Sequence, residues 1–220
     1  MFKIVEKRIL NDSMTLMAVE APYIAKKAKA GQFIILRVNE FGERIPLTVA
    51  DYDREKGTIT IIYQKVGKTT LMLDQLNVGD EILDFIGPLG KATELEGYKN
   101  VAVIGGGAGC AIAYPQAKAL HSMGTKVDMI AGFRSKDIII LEDEMKAASD
   151  RLMITTDDGS NGNKGFVTDA LRKNIEEGTK YDLVIAIGPL VMMRAICNLT
   201  KEYNIKTLIS MNPIMIDGTG

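Results

Sequence analysis

The run Val101-Ala102-Val103-Ile104-Gly105-Gly106-Gly107-Ala108-Gly109 constrains this chain more than any other stretch. Its four leading apolar residues have the pattern of a strand buried on both faces, and such strands belong to parallel sheets covered by helices. The glycines then open a stretch of helical spacing that continues to Met123. A helix entered in this way presents unpaired N–H groups and the positive end of its dipole, and residues without a Cβ let a pyrophosphate approach the main chain. As a G-x-G-x-x-G fingerprint the run is incomplete, because Gly105 and Gly107 fill the first two positions and Cys110 occupies the third. A tight strand-to-helix turn without a ligand is the competing reading, and it seldom needs so many glycines.

From Tyr98 onward, strand-like and helix-like stretches keep alternating. After the helix to Met123 come a strand over 126–131, a helix over 141–148, a strand over 152–156, a helix over 166–176, a strand over 183–187, a helix over 190–203 and a strand over 207–210. This alternation predicts parallel strands joined by right-handed crossovers, a doubly wound α/β sheet. The first hundred residues have a different rhythm. Alternating runs at 4–6, 32–38 and 58–63 are punctuated by Gly31, Gly42, Gly57, Gly79 and Gly87, with one short helix over 69–76. Many short strands between glycine turns predict an antiparallel β-barrel or sandwich. A break near Glu96-Gly97 divides the 220 residues into a β domain over 1–97 and an α/β domain over 98–220.

Lysine and arginine number 27 against 28 aspartates and glutamates, a net charge of -1 that argues against nucleic acid or anionic lipid as a partner. No apolar run approaches the roughly 18 residues of a membrane span, and the opening MFKIVEKRIL has no uninterrupted apolar segment, so a cytoplasmic protein is expected. Cys110 and Cys197 are far apart in apolar stretches and can build neither a disulfide framework nor a four-ligand metal site.

A site that reads an adenosine ribose expects an acidic residue about 20 positions past the glycines, at the end of the second strand. That end is Gly132-Phe133-Arg134-Ser135-Lys136, where Arg134 and Lys136 could meet a 2′-phosphate or simply be solvated. Asp128 falls mid-strand and is expected to face solvent or a helix. NADH and NADPH both remain open. In the first domain, Arg44-Ile45-Pro46-Leu47-Thr48 joins an arginine capable of forked phosphate contacts to a proline-stiffened strand entry and a hydroxyl. Tyr63-Gln64-Lys65-Val66-Gly67-Lys68-Thr69-Thr70 ends a strand and opens the short helix, again bringing glycine, hydroxyls and helix amides together. Each segment alone reads as a turn with an N-cap. Together with the glycine run they predict two dinucleotides meeting at a domain cleft.

Taken in order, residues 44–48, 67–70, Gly87-Pro88-Leu89-Gly90 and 105–109 resemble the ferredoxin-NADP reductase superfamily. Within it, RIPLTVADYDREKGTITIIYQKVGKTT is similar to the small (alpha) subunit of NADH-dependent ferredoxin-NADP reductase, also called the sulfide dehydrogenase beta subunit. The dihydroorotate dehydrogenase electron-transfer subunit is a close relative. Arg134-Ser135-Lys136-Asp137, Thr156-Asp157-Asp158-Gly159-Ser160, Gly165-Phe166-Val167-Thr168-Asp169 and Ile187-Gly188-Pro189 extend the similarity over essentially the whole chain.

The resemblance implies a flavoprotein in which NAD(P)H passes hydride to FAD, and FAD relays single electrons to a 2Fe-2S cluster and a partner subunit. It implies that Arg44 contacts the FAD phosphates or ribityl chain, and that Pro46, Leu47 and Thr48 line the isoalloxazine, Thr48 lying near the hydride-accepting nitrogen. Tyr63 and Gln64 would flank the ribityl and adenosine side, while Gly67, Thr69 and Thr70 would hold the pyrophosphate. Gly105, Gly106, Gly107 and Gly109 would receive the nicotinamide dinucleotide, with Arg134, Ser135, Asp157, Asp158, Gly188 and Pro189 assisting. The implied partner is a larger flavoprotein or iron-sulfur subunit, or ferredoxin.

Two departures accompany the resemblance. Cys110-Ala111-Ile112 stands where the family often carries proline. A segment like Asn212–Gly220 leads, in the family, into a cysteine-rich loop that ligates the cluster, so the chain is expected to be a piece that stops short of those ligands. The alternatives are an electron-transfer subunit serving dihydroorotate dehydrogenase, an autonomous NAD(P)H diaphorase, and a nucleotide-binding module without catalysis. Elsewhere the plainer readings prevail: His121 packed or solvated, Cys110 small and buried, Cys197 in a core, Met192-Met193 filling gaps, and Asp157-Asp158 an Asx-rich turn rather than a metal site.

Overall fold

The computed structural model describes residues 1–211, which divide into two units, Met1–Thr93 and Glu94–Met211. The Asn212–Gly220 segment, and with it the expected approach to a cluster loop, lies outside the described residues.

Unit 1 holds seven strands: β1 (Phe2–Asn11), β2 (Met14–Glu20), β3 (Phe33–Arg37), β4 (Ile45–Asp53), β5 (Thr58–Gln64), β6 (Glu81–Ile82) and β7 (Asp84–Leu89). All pair antiparallel, in the order β6-β1-β2-β5-β4-β3-β7. The two end strands are consecutive in the chain with only Leu83 between them, so the sheet curls until its edges nearly meet, and the predicted barrel forms. Its interior is filled by Ile4, Met17, Val19, Ile34, Ile59 and Ile61, each fully buried. On β5, Ile59, Ile61 and Tyr63 point inward while Thr58, Thr60 and Ile62 are half-buried, the two-residue period that made this strand legible. β2 is buried at six of its seven positions and so shows no such period. The unit has two helices rather than one, α1 (Pro22–Ala25) and α2 (Lys68–Gln75), because a four-residue helix is too short to leave a periodic trace.

Midway along, β4 changes partner. Residues 45–48 pair with β3, and residues 49–53 pair with β5. β5 meanwhile stays paired with β2 as far as Gln64. The two strands therefore part beyond the Val49–Ile61 pair, leaving a wedge bordered by Pro46, Leu47 and Thr48 on one side and residues 62–64 on the other. Proline is tolerated where a strand has a single neighbour, which is Pro46's position.

Unit 2 is a five-stranded parallel sheet of β8 (Asn100–Gly106), β9 (Lys126–Phe133), β10 (Arg151–Thr156), β11 (Leu183–Ile187) and β12 (Thr207–Ile209), in the order β10-β9-β8-β11-β12. Between them run α3 (Cys110–Ser122), α4 (Glu142–Ala147), α5 (Val167–Glu176) and α6 (Leu190–Glu202), each within two residues of its expected bounds. β8 is buried at six of seven positions and β11 at all five. Val167 and Leu171 of α5 and Met193, Ile196 and Leu199 of α6 cover one face of this sheet. Chain order reverses at β8, with β9 and β10 to one side and β11 and β12 to the other, so the ligand crevice of such a sheet falls at the carboxyl ends of β8 and β11.

Asp128 lies on the side of the sheet where Asn174 of α5 joins its network, the helix alternative of its expected surroundings, and it is enclosed there. It is 1% exposed, and its carboxylate accepts Nε–H (3.2 Å) and Nη2–H (2.5 Å) from Arg151 on the adjacent strand and the hydroxyl of Tyr181 (2.5 Å). Asn174 of α5 completes the network by donating to the Tyr181 oxygen at 3.1 Å. A carboxylate can stay buried there because every side of it is paired.

Candidate functional site

The predicted residues of unit 2 gather along the carboxyl edge of the sheet. β8 runs into a 3-10 turn over Gly107–Gly109 and then α3, β9 into Arg134 and Ser135, β10 into Asp157 and Asp158, and β11 into Gly188 and Pro189. Most of the glycines here make room for the chain itself. A Cβ on Gly109 would lie 2.4 Å from the Ile187 carbonyl oxygen and 2.8 Å from the Gly188 Cα, so this glycine lets the turn cross the end of β11. A Cβ on Gly105 would meet the Cys110 Sγ at 2.7 Å, and one on Gly106 the Met192 Sδ at 2.5 Å. Gly107 is different: its φ is +53° and a Cβ would touch nothing within 4 Å, so main chain is bared to open space at the start of a helix. That opening is the feature of this edge that fits a pyrophosphate.

The second and third loops are tied together. Asp157 N–H donates to the Phe133 carbonyl (3.0 Å), Asp158 N–H to that of Arg134 (3.2 Å), and Lys136 N–H to the Ser160 hydroxyl (2.7 Å). The Asp158 carboxylate accepts the Ser160 N–H (2.9 Å) and hydroxyl (2.7 Å), bonds that hold its carboxyl below the usual range. Asp158 thus builds the turn, whereas the Arg134 and Asp157 side chains are exposed beside it. Cys110 is fully buried, and burial pushes its thiol up to about 12, so it fills space as an inert side chain. His121 lies on the last turn of α3, 4.0 Å from Asp150 and away from these loops. Among the described residues no cluster of three or more His, Cys, Asp or Glu side chains could hold a metal.

In unit 1 the two remaining segments follow the strands that border the wedge, 44–48 along β4 and 67–70 just after β5. Arg44 stands at its mouth with 46% of its side chain exposed, 3.8 Å from the Asp84 carboxylate. Asp84 is bound more closely by Arg37 Nε at 2.7 Å, which leaves the Arg44 guanidinium available to an anion. Pro46 is exposed, and Leu47 and Thr48 are half-buried. On the other side, Gly67 is extended (φ -136°), a Cβ there would have nothing within 4 Å, and α2 begins immediately after it. Thr70 Oγ accepts the N–H groups of Val66 (3.1 Å) and Gly67 (3.0 Å) and donates to the Gly67 carbonyl (3.0 Å), closing the turn. The first-turn N–H groups of Lys68, Thr69 and Thr70 have no partner within the helix.

Two side chains lie elsewhere than the sequence suggested. The Tyr63 ring is 2% exposed in the barrel core, its hydroxyl 3.6 Å from the Met17 sulfur and 3.4 Å from Asp74, so only its main chain borders the wedge. The Thr69 side chain is buried as well, leaving its N–H as the group it can offer. Gln64 is exposed. Sequence reasoning missed the parting of β4 from β5, since no residue pattern announces a change of strand partner.

A wedge between parting strands with an arginine and a helix start in one unit, and a glycine-opened sheet edge in the other, are the features of a dinucleotide-dependent oxidoreductase class. The oxidoreductase NAD-binding domain model matches residues 103–198. The dihydroorotate dehydrogenase B (NAD(+)) electron transfer subunit homolog of Thermotoga maritima is 44% identical over 99% of this chain and 77% of its own length. The corresponding electron transfer subunit of Fusobacterium nucleatum is 33% identical over 84% of this chain and 74% of its length. A solved chain of the NADH-dependent reduced ferredoxin-NADP oxidoreductase, described in connection with flavin-based electron bifurcation, superposes with a TM-score of 0.91 at 44% identity, covering 99% of this chain and 78% of that one. The chain belongs to the ferredoxin-NADP reductase-like family of electron-transfer subunits. It is an oxidoreductase subunit of the flavin and nicotinamide type, and among its described residues no helix is long and apolar enough to cross a membrane.

Proposed function

We propose that this chain draws electrons from NADH and delivers them through FAD to an iron-sulfur cluster and a larger partner subunit. The observation that supports the reading is the wedge of unit 1, where β4, entered through Arg44 and carrying Thr48, parts from β5 and α2 begins shortly after β5 ends. FAD held there would supply a hydride acceptor for the nicotinamide and a donor of single electrons.

The chain's own residues hold and orient. Arg44, held by Asp84 more loosely than Arg37 is, neutralises phosphate charge or bonds the ribityl chain. Pro46 and Leu47 give an apolar wall, and Thr48 presents its hydroxyl or N–H to the edge of the ring system. Gly67 keeps side-chain bulk away from the pyrophosphate while the N–H groups of Lys68, Thr69 and Thr70 bond it, and Gln64 borders the adenosine side. In unit 2, Gly107 bares the main chain for the second dinucleotide. Gly105, Gly106 and Gly109 allow the close packing that places it, and Gly188 and Pro189 complete that wall. Arg134, Ser135, Asp157 and the Asp158 turn meet the adenosine end. NADH is favoured as donor by the names of the relatives, which specify NAD(+) or NADH. The 2Fe-2S cluster we assign to ligands other than Cys110 and Cys197, which cannot form a four-cysteine set.

A second reading makes the partner a dihydroorotate dehydrogenase, the activity named for several relatives near 30% identity. Co-purification with the native partner separates the two. The primary test is an anaerobic absorbance titration of FAD-reconstituted protein with NADH and, separately, NADPH. Bleaching of the flavin by NADH at low concentration is the expected result, and a protein that takes up no FAD overturns the proposal.

A further inference from the structure

We propose that Lys7, Thr15 and Asp74 form a positioning clamp that aims the amide end of α2 at the FAD pyrophosphate; the inference rests on the assignment of that phosphate to the Gly67–Thr70 turn. α2 has only eight residues, about 12 Å of helix, and a helix that short is not held by its own hydrogen bonds. Its apolar anchor is Leu73, fully buried, with Met72 and the C-cap Leu76 packed partly buried against the barrel core, and this anchor leaves the polar end groups of the helix to be fixed separately.

Polar contacts at the far end hold it in place. Lys7 Nζ, reaching from β1, donates to the main-chain carbonyls of Asp74 (2.5 Å) and Leu76 (2.8 Å), which a helix end leaves unpaired. The Asp74 carboxylate accepts the hydroxyl of the fully buried Thr15 on β2 at 2.6 Å and that of Tyr63 on β5 at 3.4 Å, and lies 3.6 Å from Lys65 Nζ. Burial pushes the Asp74 carboxyl up, but the Thr15 bond and the charges of Lys65 and Lys7 outweigh it and hold the group below the usual carboxylate range. Three strands thus converge on the carboxyl end of α2. The amide end meets no neighbour at Gly67 and is closed only by Thr70. A short rod fixed at one end carries its free amides to one place, so these residues act on a phosphate they do not touch.

Fluorescence titration of the full chain with FAD tests the clamp in Asp74→Asn, Lys7→Met, Thr15→Val and Thr15→Ser. The dissociation constant for FAD is expected to rise about tenfold in the first three, the equivalent of one hydrogen bond to a charged group, with Thr15→Ser close to wild type. The 31P resonances of the bound pyrophosphate should move in the same three variants, a readout that a loss of barrel stability alone would not shift, while NADH affinity stays unchanged. Wild-type FAD affinity and 31P positions in Thr15→Val and Asp74→Asn would overturn the clamp; if Asp74→Asn fails to fold, the Thr15 pair decides. A wild-type chain that binds no FAD would overturn the flavin assignment first, and the clamp with it.

Discussion

Gly67 ahead of α2 and Gly109 ahead of α3 both stand where a strand enters a helix, yet their surroundings are opposite. A Cβ on Gly67 would touch nothing within 4 Å, whereas one on Gly109 would press 2.4 Å from the Ile187 carbonyl. Neither needs an unusual backbone: Gly67 is extended at φ -136° and Gly109 is helical at φ -61°. The barrel keeps its glycine for the sake of a space, and the parallel sheet keeps most of its glycines so that two of its own strand ends can cross. Within the glycine run 105–109, Gly107 resembles Gly67 in having open space above it and differs from both in its left-handed backbone.

Substitutions can break or sharpen that contrast. The largest effect is expected from Gly109→Ala, because the obstruction is main chain that cannot rotate aside; a loss of about 3 kcal/mol in thermal or urea unfolding, together with loss of NADH binding, would support it. Gly107→Ala should cost about 1–2 kcal/mol from its left-handed φ and weaken NADH in calorimetry, since its Cβ would enter the ligand's space. Gly106→Ala meets the flexible end of Met192, which can move, and the Pro189 ring at 3.0 Å, which must shift slightly, so about 1 kcal/mol is expected, with NADH still bound. Gly67→Ala should cost least, about 0.5–1 kcal/mol as a poorer helix cap, while raising the FAD dissociation constant more than its stability loss predicts. Equal stability losses at Gly67 and Gly109 would remove the distinction between room for a ligand and room for the chain.

Both architectures were legible in the sequence because each rests on local periodicity. Thr58 to Tyr63 alternates with period two, and the bounds of α3, α5 and α6 follow from apolar spacing ended by turn residues. The candidate sites were legible as segments, since glycine, hydroxyl and arginine at a strand end are local patterns. The roles of individual side chains within them were less so. Tyr63 sits at the right place in the chain but turns into the core, and Asp158 is spent on Ser160 while its neighbour Asp157 remains exposed.

By itself the sequence determined that a barrel-forming half precedes a parallel α/β half, and that glycine-bearing strand-to-helix turns lie at Gly67 and at the glycine run, because hydrophobic period and glycine placement act over a few residues. Only the tertiary structure decided that β4 leaves β5 beyond Val49, that Asp128 is buried against Arg151 and Tyr181, and that Lys7, Thr15 and Asp74 meet at one end of α2. Those are contacts between residues up to 69 positions apart, set by which strands become neighbours, and no local pattern encodes that choice.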